Sequence, residues 1–449
     1  METTETTTKK THGWTQLSDG YLSKTPVFQF ILVSLIFPLW GMAASLNDIL
    51  ITQFKTVFSL NDASTAFVQS AFYGGYFLIA IPASLVIKKN TYKFAIMTGL
   101  IFYIIGCALF FPASQVATYS MFLVAIFAIA IGLSFLETSC DTYSSMLGPK
   151  KYSTIRLNIS QTLVPLGDIA GILLGKYLIF GKVGNLSDKM AGMHGAERIA
   201  YGEKMLQMTL RPYKYILIVL VVMLIVLAVT PMPRSKATNQ EAEKAVEEQP
   251  SLGESIKYLL TNGRFMKGVG AQFVYAGMQT TVWSFTIRLA LNLMNISDSA
   301  ASTFMVWSYV AWFVGKLIAN SFMSRFSSTG VLTWFSLLGF VSLVITFTIP
   351  NVTAVYAAIA TSFFFGPEWP TIYSHTLDTI TEKKYTETGG ALIVMSLIGG
   401  AVIPLIQGIV SDMTGSMQFS FIVPAICFAV ITGYFWSEHR IDAKAGALK

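Results

Sequence analysis

The polar stretch PRSKATNQEAEKAVEEQPSLGESIKYLLTNG, residues 233–263, divides an otherwise apolar chain in two. Six apolar runs precede it and six follow it, each about 20 residues or more in length. A helix of that length crosses a hydrocarbon core about 30 Å thick. The runs occupy residues 26–50, 64–88, 94–113, 119–143, 156–180, 213–232, 266–292, 300–323, 330–349, 352–376, 388–411 and 418–437.

The composition agrees with a membrane protein. The 449 residues are 53% hydrophobic and 12% charged, and the mean hydropathy is +0.58. A soluble domain carries about 25% charged residues. The runs are continuous and much longer than the ~10-residue strands of a membrane barrel, so we expect helices. The sequence therefore predicts an all-α integral membrane protein with twelve transmembrane helices in two pseudo-symmetric six-helix halves.

Basic residues in the short loops predict the orientation. KKNTYK (88–93), PKKYSTIR (149–156), Arg325 and TEKKY (381–385) occupy every second loop, and the positive-inside rule then places both termini in the cytoplasm. The predicted parts are a cytoplasmic amino-terminal tail, an amino-terminal half, a cytoplasmic linker, a carboxyl-terminal half and a cytoplasmic carboxyl-terminal tail. They cover residues 1–25, 26–232, 233–263, 264–437 and 438–449.

Carboxylic acids inside apolar runs point to function, since an ionised carboxylate in a membrane is costly. GLSFLETSCDTYSSMLGPKK (132–151) carries Glu137 and Asp141, and the first run carries Asp48. Glu368 lies at a comparable depth in the tenth run. Asp48 and Glu137 are the preferred proton carriers. Alternatively, a buried acid pairs with a cation, either Arg288 or Lys316, while Asp141 equally fits a solvated helix end near Lys150.

Amide and aromatic side chains in the seventh and tenth runs fit a sugar better than an ion. Amides and carboxylates bind hydroxyl groups, and aromatic rings cover the apolar face of a sugar. Such residues also mark membrane interfaces, which is the alternative explanation. The candidates are Gln272, Tyr275, Gln279, Trp283, Glu368 and Trp369.

The chain resembles the L-fucose:proton symporter family of the major facilitator superfamily. The matching segments include LNDIL (46–50), LET (136–138), RLNISQT (156–162), AQFVYAGMQTTVWSFTIR (271–288) and PTIYS (370–374), in collinear order. The resemblance implies proton-coupled sugar import across the bacterial inner membrane, with Asp48 and Glu137 coupling the proton. The predicted substrate contacts are Ser45, Asn47, Glu137, Gln161, Gln272, Tyr275, Gln279, Trp283 and Glu368.

The substrate is less well specified than the proton site. The family pattern has Asn where Ser45 and Val164 stand, Asn-Pro at Asp141-Thr142 and Gln at Glu368. Another hexose, such as glucose or galactose, is therefore an alternative to L-fucose.

Other classes of protein are disfavoured. The enzyme motifs Gly-x-Gly-Asp and His-Glu-x-x-His are absent from the sequence, so we expect no enzyme. A proton-driven drug exporter or a transporter-like sensor remains as an alternative. The expected partners are a sugar, protons and the lipid bilayer, without nucleic acid. We expect a monomer that needs no metal and no cofactor, with the proton as the coupling ion.

Overall fold

The computed structural model describes residues 14–17, 19–58, 62–116, 118–174, 193, 195–235, 250–294, 296 and 298–444. Within these ranges the chain is helical, apart from connecting loops and one isolated β-bridge between Gln16 and Leu22.

The α-helices of these ranges follow the predicted apolar runs. They are α1 (Val27–Ser34), α2 (Phe37–Val57), α3 (Asp62–Lys89), α4 (Tyr92–Val116), α5 (Tyr119–Met146), α6 (Ser153–Gln161), α7 (Val164–Leu174), α8 (Gly195–Thr209), α9 (Arg211–Val229), α10 (Leu252–Thr261), α11 (Gly263–Met294), α12 (Asp298–Met323), α13 (Ser328–Thr348), α14 (Val352–Phe365), α15 (Glu368–Asp378), α16 (Thr386–Met395), α17 (Gly399–Thr414) and α18 (Ile422–Lys444).

Joined at their breaks, these helices make twelve segments among the described residues. The pairs α1–α2, α6–α7, α14–α15 and α16–α17 form the first, fifth, tenth and eleventh segments. Helix α8 precedes the sixth segment, and α10 lies in the predicted linker. By length and hydropathy alone, eight helical stretches of the described chain can cross a membrane. Helices α11 and α12 are also long enough, at 32 and 26 residues, but they carry more polar side chains.

Four of the predicted runs are interrupted within their length. Proline explains three interruptions, because it has no N–H and clashes with the preceding turn. Pro38 follows the first break, Pro165 follows the second, and Pro367 lies within the third. The eleventh segment instead tightens into a 3-10 turn at Ser396–Ile398. Broken helices of this kind are tolerated at membrane depth where protein surrounds them.

Glycines bring the first and fifth segments into backbone contact. A Cβ on Gly167 would overlap the carbonyl of Pro38, and a Cβ on Gly171 would overlap the hydroxyl of Ser45. The two glycines are four residues apart, as in the small-xxx-small pattern that lets membrane helices approach closely. This contact fixes α2 against α7.

The two halves meet along a polar seam at one end of the molecule, the end that carries the basic loops. Asn158 donates to the Thr371 hydroxyl over 3.0 Å, and the hydroxyls of Thr154 and Ser374 are 2.9 Å apart. Tyr21, which precedes the first helix, donates to Asp378 over 3.0 Å. We define the seam by these contacts and by Ser153, which also donates to Asp378, over 3.3 Å. The seam closes this end of the molecule.

Candidate functional site

Helix α5 places Glu137 and Asp141 one turn apart, because residues i and i+4 of an α-helix are neighbours. Glu137 is 7% exposed and Asp141 is 0% exposed. The alternative that Asp141 lies at a solvated helix end is wrong, because its carboxyl group is enclosed between segments. Both acids are therefore buried at the same site.

Asp141 is held by both halves of the molecule. Gln161, the last residue of α6, donates its side-chain N–H to Asp141 Oδ1 over 2.8 Å. Trp369 of the carboxyl-terminal half lies beside the same carboxyl group. The second oxygen, Oδ2, has no hydrogen bond. A buried acceptor without a partner can take a proton or a hydroxyl donor from a ligand.

Glu137 contacts Asp141 and a tyrosine. Tyr76 of α3 forms a hydrogen bond with Glu137, and Asp141 is its charged neighbour. Two ionised carboxylates this close and this buried repel one another. A proton on either acid removes the repulsion. The arrangement therefore favours a proton on one of the two acids.

Asp48 and Asn47 lie on α2, but their side chains are outside the described part of the chain. Ser45, two residues before Asn47, is 3% exposed, and its hydroxyl donates to the Met42 carbonyl over 3.2 Å. The Ser45 hydroxyl also touches Gly171. In this conformation, Ser45 takes part in the contact between α2 and α7.

Lys316 of α12 reaches from the carboxyl-terminal half to this site. It is 1% exposed, and its Nζ donates to the backbone carbonyl of Gln161 over 2.9 Å. Asp141 and Asp168 are the carboxylates whose charges act on it. Of the two cations predicted as partners for a buried acid, Lys316 is therefore near Asp141. Arg288 is exposed and lies 5.0 Å from the ring of Phe285.

The seventh segment contributes an aromatic and amide wall. Gln272 is fully buried and donates to the Trp369 carbonyl over 3.4 Å. Tyr275 is also buried, with its ring centroid 6.0 Å from that of Trp369. Trp283 donates to the Ser362 hydroxyl over 3.2 Å and packs edge-on against Trp312.

Three predicted residues on this side thus form one connected group. Gln272 and Tyr275 both contact Trp369, the residue beside Asp141. Trp283 joins them through Phe365, whose ring is 5.6 Å from Trp283 and 6.3 Å from Tyr275. Gln279 lies one turn before Trp283 and is half-buried.

Glu368 lies apart from the acid pair. It begins α15 and is fully buried, and its Oε1 accepts a hydrogen bond from Ser336 of α13 over 2.7 Å. Its other oxygen has no hydrogen bond. Because α13 belongs to the ninth segment, Glu368 faces the interior of the carboxyl-terminal half and not Asp141.

Asp168 and Tyr76 were not among the predicted site residues, and no role was predicted for Asp141. Asp168 was visible as an acid in an apolar run, PLGDIAG (165–171), which is the same signal that identified Asp48. Tyr76 gave no signal, because a tyrosine in a membrane helix is common. Among the described residues, no group of three or more His, Cys, Asp or Glu side chains could hold a metal ion.

The chain is similar in sequence and in structure to known sugar transporters. The model of the Major Facilitator Superfamily matches residues 27–308. The L-fucose-proton symporter of Escherichia coli is 33% identical over 415 residues, which cover 92% of this chain and 93% of that protein. The glucose/galactose transporter of Brucella abortus is 28% identical, covering 96% and 95%. The crystal structure of FucP in the outward conformation has a TM-score of 0.82 and 33% identity, covering 90% and 97%.

Proposed function

This chain belongs to the major facilitator superfamily, and on that premise we propose that it imports a sugar together with a proton, with L-fucose as the substrate. The observation that carries the proposal is the buried pair Glu137–Asp141 beside the wall of Gln272, Tyr275 and Trp369. Carboxylic acids bind the proton, and amides and aromatic rings bind a hydroxyl-rich ring. The L-fucose-proton symporter, at 33% identity, supports this combination.

The proposed cycle starts with the molecule open at the end opposite the seam. Asp48 and Glu137 take up a proton there, and the sugar enters between the first, fourth, seventh and tenth segments. Neutral carboxyl groups lower the free-energy cost of enclosing the site. The loaded carrier therefore reorients more easily than a charged, empty one. Sugar and proton then leave at the end that carries the seam.

We place the seam on the cytoplasmic side of a bacterial inner membrane, with both termini on that side. The support is the set of basic loops at this end and the positive-inside rule. The conformation described above then faces outward, and its similarity to FucP in the outward conformation agrees with that. We further propose that the protein acts as a monomer without metal or organic cofactor and has the domain boundaries predicted from the sequence.

A second candidate substrate is glucose or galactose. The Brucella abortus relative named as a glucose/galactose transporter is 28% identical over nearly the whole chain. Ser45 and Val164, which differ from the L-fucose:proton family pattern, lie in the first and fifth segments, two residues before Asn47 and three residues after Gln161. One hydroxyl of a hexose is enough for such positions to discriminate.

Extracellular alkalinisation tests the function. Lightly buffered, de-energised cells that express the chain receive L-fucose, glucose or galactose, one at a time, with and without a protonophore. An alkaline shift with L-fucose alone, abolished by the protonophore, is the expected result. A shift only with another hexose would change the substrate and keep the mechanism. If no sugar gives a shift, proton-coupled sugar import is wrong, and an exporter or a sensor becomes the better hypothesis.

A further inference from the structure

The break between α6 and α7 exposes a backbone carbonyl at the interface of the two halves. In an unbroken α-helix the carbonyl of Gln161 would accept from the N–H of residue 165. That residue is Pro165, which has no N–H. The Gln161 carbonyl therefore lacks its helical donor, and a buried carbonyl requires another one.

Lys316 of the other half supplies that donor. Its Nζ lies 2.9 Å from the Gln161 carbonyl oxygen and 4.3 Å from the centroid of the Trp312 ring. One helical turn further along α12, Asn320 donates to the Thr162 hydroxyl over 2.9 Å. Two side chains of α12 thus hold the same break from the opposite half.

The aliphatic stem of Lys316 is also packed. A Cβ on Gly366 would lie 3.3 Å from Lys316 Cγ, so α12 packs directly against the break between α14 and α15. The neighbouring Gly315 lets the backbone of α12 approach the carbonyl of Phe363. Lys316 therefore links the break of the tenth segment to the break of the fifth.

The charges around Lys316 suit this link. A buried ammonium group is unfavourable unless carboxylates and acceptors surround it. Asp141 and Asp168 provide the opposite charge, and both belong to the amino-terminal half. Asp141 is itself bound by the side chain of Gln161. One residue, Gln161, therefore receives Lys316 on its backbone and holds Asp141 with its side chain.

We propose that Lys316 is a positioning residue for transport: it holds the break of the fifth segment, and through Gln161 the carboxyl group of Asp141, only while the two halves are closed at the seam. When the seam opens, α12 moves with its own half and the Gln161 carbonyl loses its donor. Asp141 then loses its cation as well. Opening of the seam and rearrangement of the acid site are thus one event. The inference rests on the proposed alternation between two open states.

A disulfide across the seam measures closure without any transport assay. Thr154 and Ser374, whose hydroxyls are 2.9 Å apart, are replaced by cysteine. The native thiols Cys107, Cys140 and Cys427, which are buried and free, are replaced by alanine. The rate of cross-linking in membranes without sugar then reports the fraction of molecules closed at the seam. A failure of the alkalinisation assay leaves this readout intact.

Lys316→Met removes the donor and the charge, and we expect the ratio of closed to open molecules, obtained from the cross-linking rate, to fall by about tenfold or more, as for a lost charged hydrogen bond. Pro165→Ala keeps Lys316 but gives the Gln161 carbonyl a helical donor of its own. We expect this variant to lower the same ratio as well, by about threefold or more, as for a competing neutral hydrogen bond. Because Pro165→Ala favours a continuous helix, it keeps the test available if Lys316→Met fails to fold.

Lys384→Met is the matched control, because Lys384 is an exposed lysine at the same end of the molecule, paired with Glu382. Its cross-linking rate should equal that of the parent. Equal falls in Lys316→Met and Lys384→Met would assign the effect to charge in general and overturn the proposal. Parental rates in both Lys316→Met and Pro165→Ala would overturn it too.

Discussion

Asp48 and Glu137 are the acids to which we assign the coupled proton. Asp48→Asn keeps the size of the side chain but cannot cycle between charged and neutral forms. We expect this variant to retain sugar exchange and to lose accumulation against a gradient. Glu137→Gln should impair both, because Glu137 is a predicted substrate contact as well as a proton carrier. Counterflow and uphill uptake of radiolabelled sugar separate the two activities.

Wild-type accumulation in both of these variants would show that Asp48 and Glu137 are structural. The proton would then bind elsewhere, and Glu368, whose Oε2 has no hydrogen bond, would be tested next.

Asp141 has a different expected role from its neighbour. Asp141→Asn preserves the volume and an oxygen that accepts from Gln161, and the family pattern that the sequence resembles has Asn at this position. We expect uphill uptake to stay within about threefold of wild type, since Glu137 remains available for the proton and the variant loses only its charge interactions, the attraction to Lys316 and the repulsion from Glu137. Asp141→Leu removes the acceptor as well and should abolish uptake. Complete loss of coupling in Asp141→Asn would instead place this acid on the proton pathway.

Candidate site residues are most evident in the sequence where a charged side chain lies in an apolar run. Asp48, Glu137 and Glu368 stood out as acids in apolar runs. Their neighbours could not be derived, because hydropathy does not tell which face of one helix meets which face of another. Glu368 is an example: its depth matches that of Glu137, yet it faces Ser336 within its own half.

The contact between α2 and α7 depends on the absence of side-chain atoms at Gly167. Gly167→Ala would place a methyl group against the Pro38 carbonyl and force the two helices apart. We expect a loss of stability of about 1–3 kcal/mol, as for other overpacked contacts. Thermal unfolding of detergent-purified protein measures the change.

Gly270→Ala is the matched control for this contact. It adds the same methyl group to α11, at a position with no heavy atom within 4 Å. Its unfolding temperature should be equal to that of wild type or higher. Equal losses in the two variants would show that α2 and α7 are not in close contact.

Helices could be predicted from the sequence, but their interruptions were missed. The apolar runs at 26–50, 156–180 and 352–376 contain or adjoin prolines, and each is broken in the structure. A proline in a membrane helix often leaves it continuous, because neighbours satisfy the freed carbonyl. Lys316 donates to the Gln161 carbonyl from 155 residues away in the chain. No local sequence pattern around Gln161 therefore predicts this hydrogen bond.

The seam between the halves should weaken when Asp378 loses its carboxylate. Asp378→Ala removes the acceptor for both Tyr21 and Ser153. We expect hydrogen–deuterium exchange at the carboxyl end of α15 to become about fivefold faster, because the closed state is less populated. Asp412→Ala, an exposed acid of α17, is the control and should leave this exchange unchanged.

The twelve-segment helical fold predicted from hydropathy is confirmed, whereas the closed seam lay beyond what the sequence could indicate. Its hydrogen bonds join residues about 200 or more positions apart, such as Asn158 with Thr371. The serines and threonines of the seam have no sequence feature that distinguishes them from other serines and threonines near helix ends. The state in which such a molecule rests is decided by the balance of many weak contacts across the interface.

The chain ahead of the first helix contributes to that balance. Tyr21 and Leu22 are 3% and 0% exposed, and Leu22 donates its backbone N–H to the Gly148 carbonyl over 3.2 Å. A purification tag or fluorescent protein fused at the amino terminus would therefore shift the equilibrium between the closed and the open seam. Such a shift would bias measured uptake constants. Helix α18 packs mainly against α11 and α13 of its own half, so the opposite terminus is the safer place for a label.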